Sequence, residues 1–179
     1  MDVLFMHGAG GWTDDQPMAT ELRALLDSNP LVNAAVQMPH FPDEDMSAAA
    51  WLKQLDRQLN FMGPDVVAVA HSFGASMALL RLADGWSGPR LSGLVLLAAP
   101  FWGSEGWQAE YALPAGFTPP DDLPLFLHHC RDDSTVPFDH LARFAPRMPH
   151  AVFRRHETGG HQFQDRMSAV SDDVAALIA

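Results

Sequence analysis

The stretch DVVAVAHSFGASMALLRLA, Asp65 to Ala83, decides how the rest of the chain is read. Its first part is a short run that is apolar on both parities, as in a strand covered on two faces. Its last part, ASMALLRLA, carries helical spacing. Only HSFG separates them, so a strand passes almost directly into a helix with Ser72 at the apex. Such a junction forces the apex residue into strained backbone and exposes its side chain above the sheet, provided that the residues two positions away are small. Ala70 and Gly74 meet that condition. A helix N-terminus also directs free N–H groups at the serine, which stabilises negative charge developing there. A serine at a helix start is commonly only an N-cap; here the small flanking residues point to an exposed nucleophile.

Working outward, short apolar runs alternate with longer amphipathic ones. Segments 2–6, 34–38, 65–70, 92–99, 124–130 and 150–156 read as strands. Between them, Met18, Leu22, Leu25 and Leu26 mark one helical face, and Leu52, Leu55 and Leu59 another. Phe163, Met167, Val170, Val174 and Leu177 mark a last one, at offsets 0, 4, 7, 11 and 14. This alternation predicts an α/β fold with about six mostly parallel strands and helices on both faces. No linker or repeat divides the chain, so residues 1–179 are expected to form one domain. Segment 101–124, rich in aromatic residues, glycine and proline, breaks the rhythm between the fourth and fifth strands and is expected to form a cap-like loop.

Composition narrows the function classes. The chain has 179 residues, enough for a core that needs no staples, with 47% hydrophobic and 18% charged residues. A formal charge of −11 argues against a nucleic-acid partner, which would call for a basic stripe. No apolar run approaches the roughly 18 residues of a membrane span. Cys130 is the only cysteine, so no intrachain disulfide can form. With a chain that opens directly in a strand, the expected location is the cytoplasm. Nothing in the sequence bears on oligomeric state.

In open parallel sheets, ligands bind beyond the carboxyl ends of the strands. The segments there are HGAGG, MPHFPD, HSFGAS, PFWG, RDDSTVP and ETGGHQF, and they hold nearly all of the chemically suggestive residues. A nucleophilic serine needs a base, and the base an orienting carboxylate. Downstream of Ser72 the segments after the strands offer Asp132 or Asp133, then His161. Two glycines before His161 let its loop return over the sheet. An oxyanion hole would combine the N–H of Phe73 with one from HGAGG, namely Ala9 or, alternatively, Gly10. That loop lacks G-x-G-x-x-G and a Lys-Ser/Thr ending, so nucleotide binding is not expected. His7 reads as a loop brace rather than a second base.

Together HGAGG, AHSFGA, DSTVP and GGH resemble the α/β-hydrolase superfamily over essentially the whole chain. The short length, Met38-Pro39 and Trp51 are similar to the small serine hydrolases of the retinoblastoma-binding-protein-nine/YdeN group. The chain departs from the usual pattern in having Ala70 before the elbow and a lone Trp12 in the first loop. The resemblance implies the minimal three-layer α/β-hydrolase fold, with Ser72 as nucleophile, Asp133 as orienting acid, His161 as base, and ester hydrolysis as the activity.

The expected function is therefore cleavage of a small acyl ester through an acyl-enzyme, with no cofactor. An amidase or peptidase, a thioesterase with the same triad, or a catalytically silent binding module of the same fold are the alternatives. A metal site on His128, His129 and Cys130 is not expected, because adjacent strand residues point to opposite faces. Candidate substrate-binding residues are Gly10, Trp102, Trp107 and Tyr111, together with Phe117 in the irregular segment, and Phe41 with Met38 on the opposite side. The absence of a large inserted lid favours small, accessible substrates.

Overall fold

Six strands form one parallel sheet, and their apolar residues alternate between two buried faces. The computed structural model describes residues 1–103 and 106–178, and the side chain of Trp107 lies outside the described residues. The strands are β1 (Asp2–Met6), β2 (Ala35–Gln37), β3 (Asp65–His71), β4 (Arg90–Leu97), β5 (Leu125–Cys130) and β6 (Val152–His156). Their order across the sheet is β2-β1-β3-β4-β5-β6, and every neighbouring pair is parallel. The helices are α1 (Gln16–Asp27), α2 (Ala48–Leu59), α3 (Phe73–Ala83), α4 (Asp139–Phe144) and α5 (Met167–Ile178).

Strand parity assigns the two cores. Leu4, Met6, Ala68, Ala70, Leu94, Leu96 and Leu127 face α2, α3 and α4, where Trp51, Leu55, Met77, Leu141 and Phe144 complete one cluster. Val3, Phe5, Val67, Val69, Val95 and Leu97 face α1 and α5, where Leu22, Leu26, Val170 and Val174 complete the other. Each large apolar side chain buried in this way contributes about 1.5–3 kcal/mol. Gly93 in β4 makes room for α5, since a Cβ there would stand 2.5 Å from a methyl of Leu177. Ser47 caps α2 by accepting from the Ala50 N–H at 3.3 Å.

The two-sided cover creates the crevice that holds the site. After β1 the chain enters α1 on one face, whereas after the adjacent β3 it enters α3 on the other. The loops leaving these neighbouring strands diverge, which is the topological switch point of an open α/β sheet.

Two expectations need correction. The fourth strand begins at Arg90 and ends at Leu97, not at residue 99, because Ala98 adopts φ 48° and leaves the ladder while its N–H bonds the His128 carbonyl. The last helix begins at Met167, not near Phe163. Phe163 and Asp165 have φ of 51° and 58°, so residues before Met167 form turns. Phe163 is nonetheless fully buried in the α1/α5 core, which explains why its spacing imitates a helix.

Candidate active site

Ser72 stands where β3 becomes α3, with φ 51° and ψ −118°. A non-glycine residue in this region is strained and persists only where the surroundings enforce it. Here the surroundings are specific. The Ser72 N–H donates to the Leu97 carbonyl of β4 at 2.8 Å, and the Ser72 carbonyl accepts from the Ala75 N–H at 3.0 Å. Its side chain makes no capping bond to α3. Gly74 is required by close approach, since a Cβ there would stand 2.5 Å from the His7 carbonyl oxygen and 2.8 Å from that of Met6. Ala70 is fully buried beside Met6 in the ladder, leaving little room for a larger residue.

The other members of the expected set converge on Ser72. His161 Nε2 lies 3.1 Å from Ser72 Oγ, and its Nδ1 lies 2.9 Å from Asp133 Oδ2. Asp133 follows β5, and its Oδ1 accepts from the N–H groups of Thr135 and Val136 at 2.8 and 2.9 Å. Its Oδ2 also lies 3.4 Å from His129 Nε2. Burial alone would raise the Asp133 pKa, but bonds from His129, His161, Val136 and Thr135 outweigh it and hold the carboxyl well below the usual range. Asp133 is thus ionised and placed to accept from the His161 Nδ1–H, which turns Nε2 toward the Ser72 hydroxyl.

Asp132 takes a different part. Its Oδ1 and Oδ2 accept from the N–H groups of Gly160 and Gly159 at 2.8 and 3.2 Å. Those glycines have φ of 60° and 134°, a conformation that glycine adopts without penalty, and together they bring His161 back over the sheet.

The HGAGG loop packs directly on the elbow. A Cβ on Gly8 would stand 3.2 Å from that of Ser72, so the loop backbone approaches the serine as closely as glycine allows. The Ala9 and Phe73 N–H groups donate no bond among the described residues, and Phe73 opens α3. His7 braces this loop: its Nδ1–H donates to the Gly8 carbonyl at 2.7 Å, and its Nε2 accepts from the Phe41 N–H at 2.9 Å. Burial lowers the His7 pKa, consistent with the neutral ring these bonds need. Although His7, His40 and Asp43 offer ligand atoms within 4.8 Å of one another, both His7 nitrogens are already engaged, so the trio is unsuited to a cation.

The expected substrate residues are dispersed. Gly10 is exposed, with φ 61° and open space around its Cα. Trp102 is half-buried, donates from Nε1 to Ser76 Oγ at 2.7 Å, and meets the Tyr111 ring at 5.3 Å. Tyr111 is buried, stands edge-on to Phe73 at 4.9 Å, and donates to the Met46 carbonyl. Trp102 and Tyr111 therefore lie against α3, and Tyr111 also reaches the residues that lead into α2. Phe41 is a correction: it is 1% exposed and stacks on Trp51 at 5.0 Å, so it is a core residue and does not line an accessible pocket. The side chain of Trp107 lies outside the described residues.

Three residues near the site escape a reading of motifs. Asp15 and His71 form a buried pair behind His161, and His129 stands behind Asp133. The only signal for His71 is its place before Ser72. Asp15, in TDDQP at the head of α1, carries none.

Among the described residues, no helix is long and apolar enough to cross a membrane. No curated protein matches the chain by sequence. Solved structures match its fold throughout. The ydeN gene product of B. subtilis is 19% identical, with a TM-score of 0.71 over 98% of this chain and 97% of that one. Mouse alpha/beta hydrolase domain-containing protein 10 is 13% identical, with a TM-score of 0.76 over 99% and 89%. The esterase domain of a Rhodothermus marinus protein is 16% identical, with a TM-score of 0.66 over 98% and 84%. The family model described as alpha/beta hydrolase family matches residues 3–178, and the chain belongs to that family.

Proposed function

We propose that this protein is a serine hydrolase that cleaves small acyl esters through Ser72, His161 and Asp133. The observation that carries the reading is the chain of contacts from Asp133 Oδ2 to His161 Nδ1 at 2.9 Å and from His161 Nε2 to Ser72 Oγ at 3.1 Å, ending on a serine at φ 51°. A binding module that kept only the fold would have no need to maintain that strain.

The mechanism follows from the contacts. As Ser72 Oγ attacks the acyl carbonyl, its proton passes to His161 Nε2, and the Phe73 and Ala9 N–H groups receive the oxyanion. Asp133 holds the tautomer and stabilises the imidazolium. His161 then protonates the leaving alkoxide. A water attacks the acyl-enzyme with His161 again as base, and collapse of the second tetrahedral species returns Ser72 and releases the acid. Ester rather than amide cleavage is favoured by likeness to an esterase domain and by the small cap, with Trp102 and Tyr111 packed against α3. The single Cys130 suits a reducing compartment, and we place the protein in the cytoplasm, acting on a small molecule without a cofactor.

Hydrolysis of p-nitrophenyl acetate, a matched acetyl thioester and a matched acetanilide tests the reading. The ester is expected to turn over fastest with saturation kinetics, and Ser72→Ala to lower kcat/KM by about 10⁴-fold or more. Faster turnover of the thioester or anilide would reassign the bond. No turnover above the Ser72→Ala background would overturn the enzyme reading.

A further inference from the structure

Behind the triad lies a second acid–histidine pair that the hydrolytic steps do not use. Asp15, fully buried ahead of α1, accepts through Oδ2 from the Gly8 N–H at 2.8 Å and meets His71 Nδ1 at 2.7 Å. His71, 1% exposed at the end of β3, directs Nε2 at the backbone carbonyl oxygen of His161 at 2.9 Å. The two imidazole rings lie 4.6 Å apart.

This pair touches two loops of the site. Gly8 precedes Ala9, whose N–H is a proposed oxyanion donor, and His161 carries the base. The His161 loop is held on its amide side by Asp132 through Gly159 and Gly160, and His71 holds the following carbonyl. Two positive-φ glycines precede His161, so its placement depends on such ties. The hydrogen count is also set. A backbone carbonyl can only accept, so His71 Nε2 carries the hydrogen of that contact, and Nδ1 shares one with Asp15 Oδ2. Burial would raise the Asp15 pKa, but its bonds to His71 and Gly8 outweigh that and lower it, consistent with a carboxylate.

We propose that Asp15 and His71 are positioning residues: a buried acid–histidine pair that fixes the His161 backbone and the Ala9 loop to the end of β3, setting base and oxyanion donors relative to Ser72. The proposal rests on the reading of Ser72 and His161 as nucleophile and base. A misplacement of about 1 Å can cost on the order of 100-fold in rate.

Glutamine at position 71 can place an amide N–H near the former Nε2 and still reach the His161 carbonyl, whereas asparagine reaches only toward Asp15. The variants should therefore fall in an order. His71→Gln retains kcat within about fivefold, while His71→Asn and His71→Leu lose about 30–100-fold in kcat with KM changed less than about threefold. The rate at which a fluorophosphonate labels Ser72 should fall in the same order. In nitrogen-15 NMR of the wild-type protein, His71 Nε2 should carry a proton that exchanges slowly with solvent, and Asp15→Asn should speed that exchange. Equal kcat across the three variants, or a His71 Nε2 without a proton in the wild type, would overturn the proposal. The NMR result decides even if the variants fail to fold. A wild-type Ser72 that takes no label would instead defeat the hydrolase reading.

Discussion

Asp132 and Asp133 are neighbours in the chain but hold different parts of one loop: Asp133 bonds the His161 side chain, and Asp132 bonds the Gly159 and Gly160 backbone. The division predicts unequal effects on catalysis. Asp133→Asn places an amide against Nδ1 and favours the wrong tautomer, so kcat should fall by about 10⁴-fold. Asp132→Ala loosens the loop while leaving the tautomer intact, and should cost about tenfold. Steady-state ester hydrolysis by the two variants checks this; equal losses would contradict the assignment.

The elbow makes a stability prediction at Gly74. A Cβ there would meet backbone oxygens of His7 and Met6, which cannot rotate away. Gly74→Ala should therefore destabilise the fold by about 2 kcal/mol or more, although alanine is the better helix former. Urea unfolding measures it, and an unchanged midpoint would show that α3 does not press on β1 as described.

Acid sensitivity should arise partly far from Ser72. His128, buried on β5, meets His156 Nε2 at 3.1 Å and Asp173 Oδ2 at 3.0 Å, and Arg154 grips the same carboxylate from β6. Burial, then the neighbouring charges of His128, Arg166 and Arg154, draw the His156 pKa down to about 4. In the unfolded chain it titrates near 6.5, so between these values the unfolded state binds more protons. Stability should then fall as pH drops from 7 toward 4. Asp173 has the opposite charge: burial would raise its pKa, but bonds from His128 and Arg154 hold it at about 2. Its contribution is present above about pH 4 and is lost toward pH 2. The urea midpoint of His156→Gln should decline less steeply from pH 7 to 5 than that of the wild type; superimposable slopes would count against the network.

Cys130 should be inert in the native state. Burial first, then the nearby Asp132 and Asp133 carboxylates, push its thiol up to about 12, and its reactive form is the thiolate. At pH 8 the native protein should consume no disulfide reagent, and the urea-unfolded protein one equivalent. Rapid native labelling would show that the Gly159 loop, whose close approach covers the sulfur, opens readily.

The parallel sheet was legible because strands covered on both faces have no polar parity, as in Val66–Ala70 and Leu94–Leu97. The elbow was legible because its geometry restricts the residues at 70, 72 and 74. The choice between Asp132 and Asp133 was not settled by the residues alone, since both lie in the same turn and only the path of the His161 loop separates their partners. Apolar spacing misplaced the start of α5, because Phe163 reaches the core from a turn. Phe41 misled for a related reason: an aromatic residue after a strand can pack inward, and here it stacks on Trp51. Asp15 and His71 are 56 positions apart, and their pairing exists only through the adjacency of β1 and β3.

The most direct test of the central claim is covalent labelling with a fluorophosphonate, read by intact mass and peptide mapping. A single adduct on Ser72 that is lost in His161→Ala is expected of a serine activated by that imidazole. A folded wild-type protein that takes no adduct, or takes one at another residue, would contradict it.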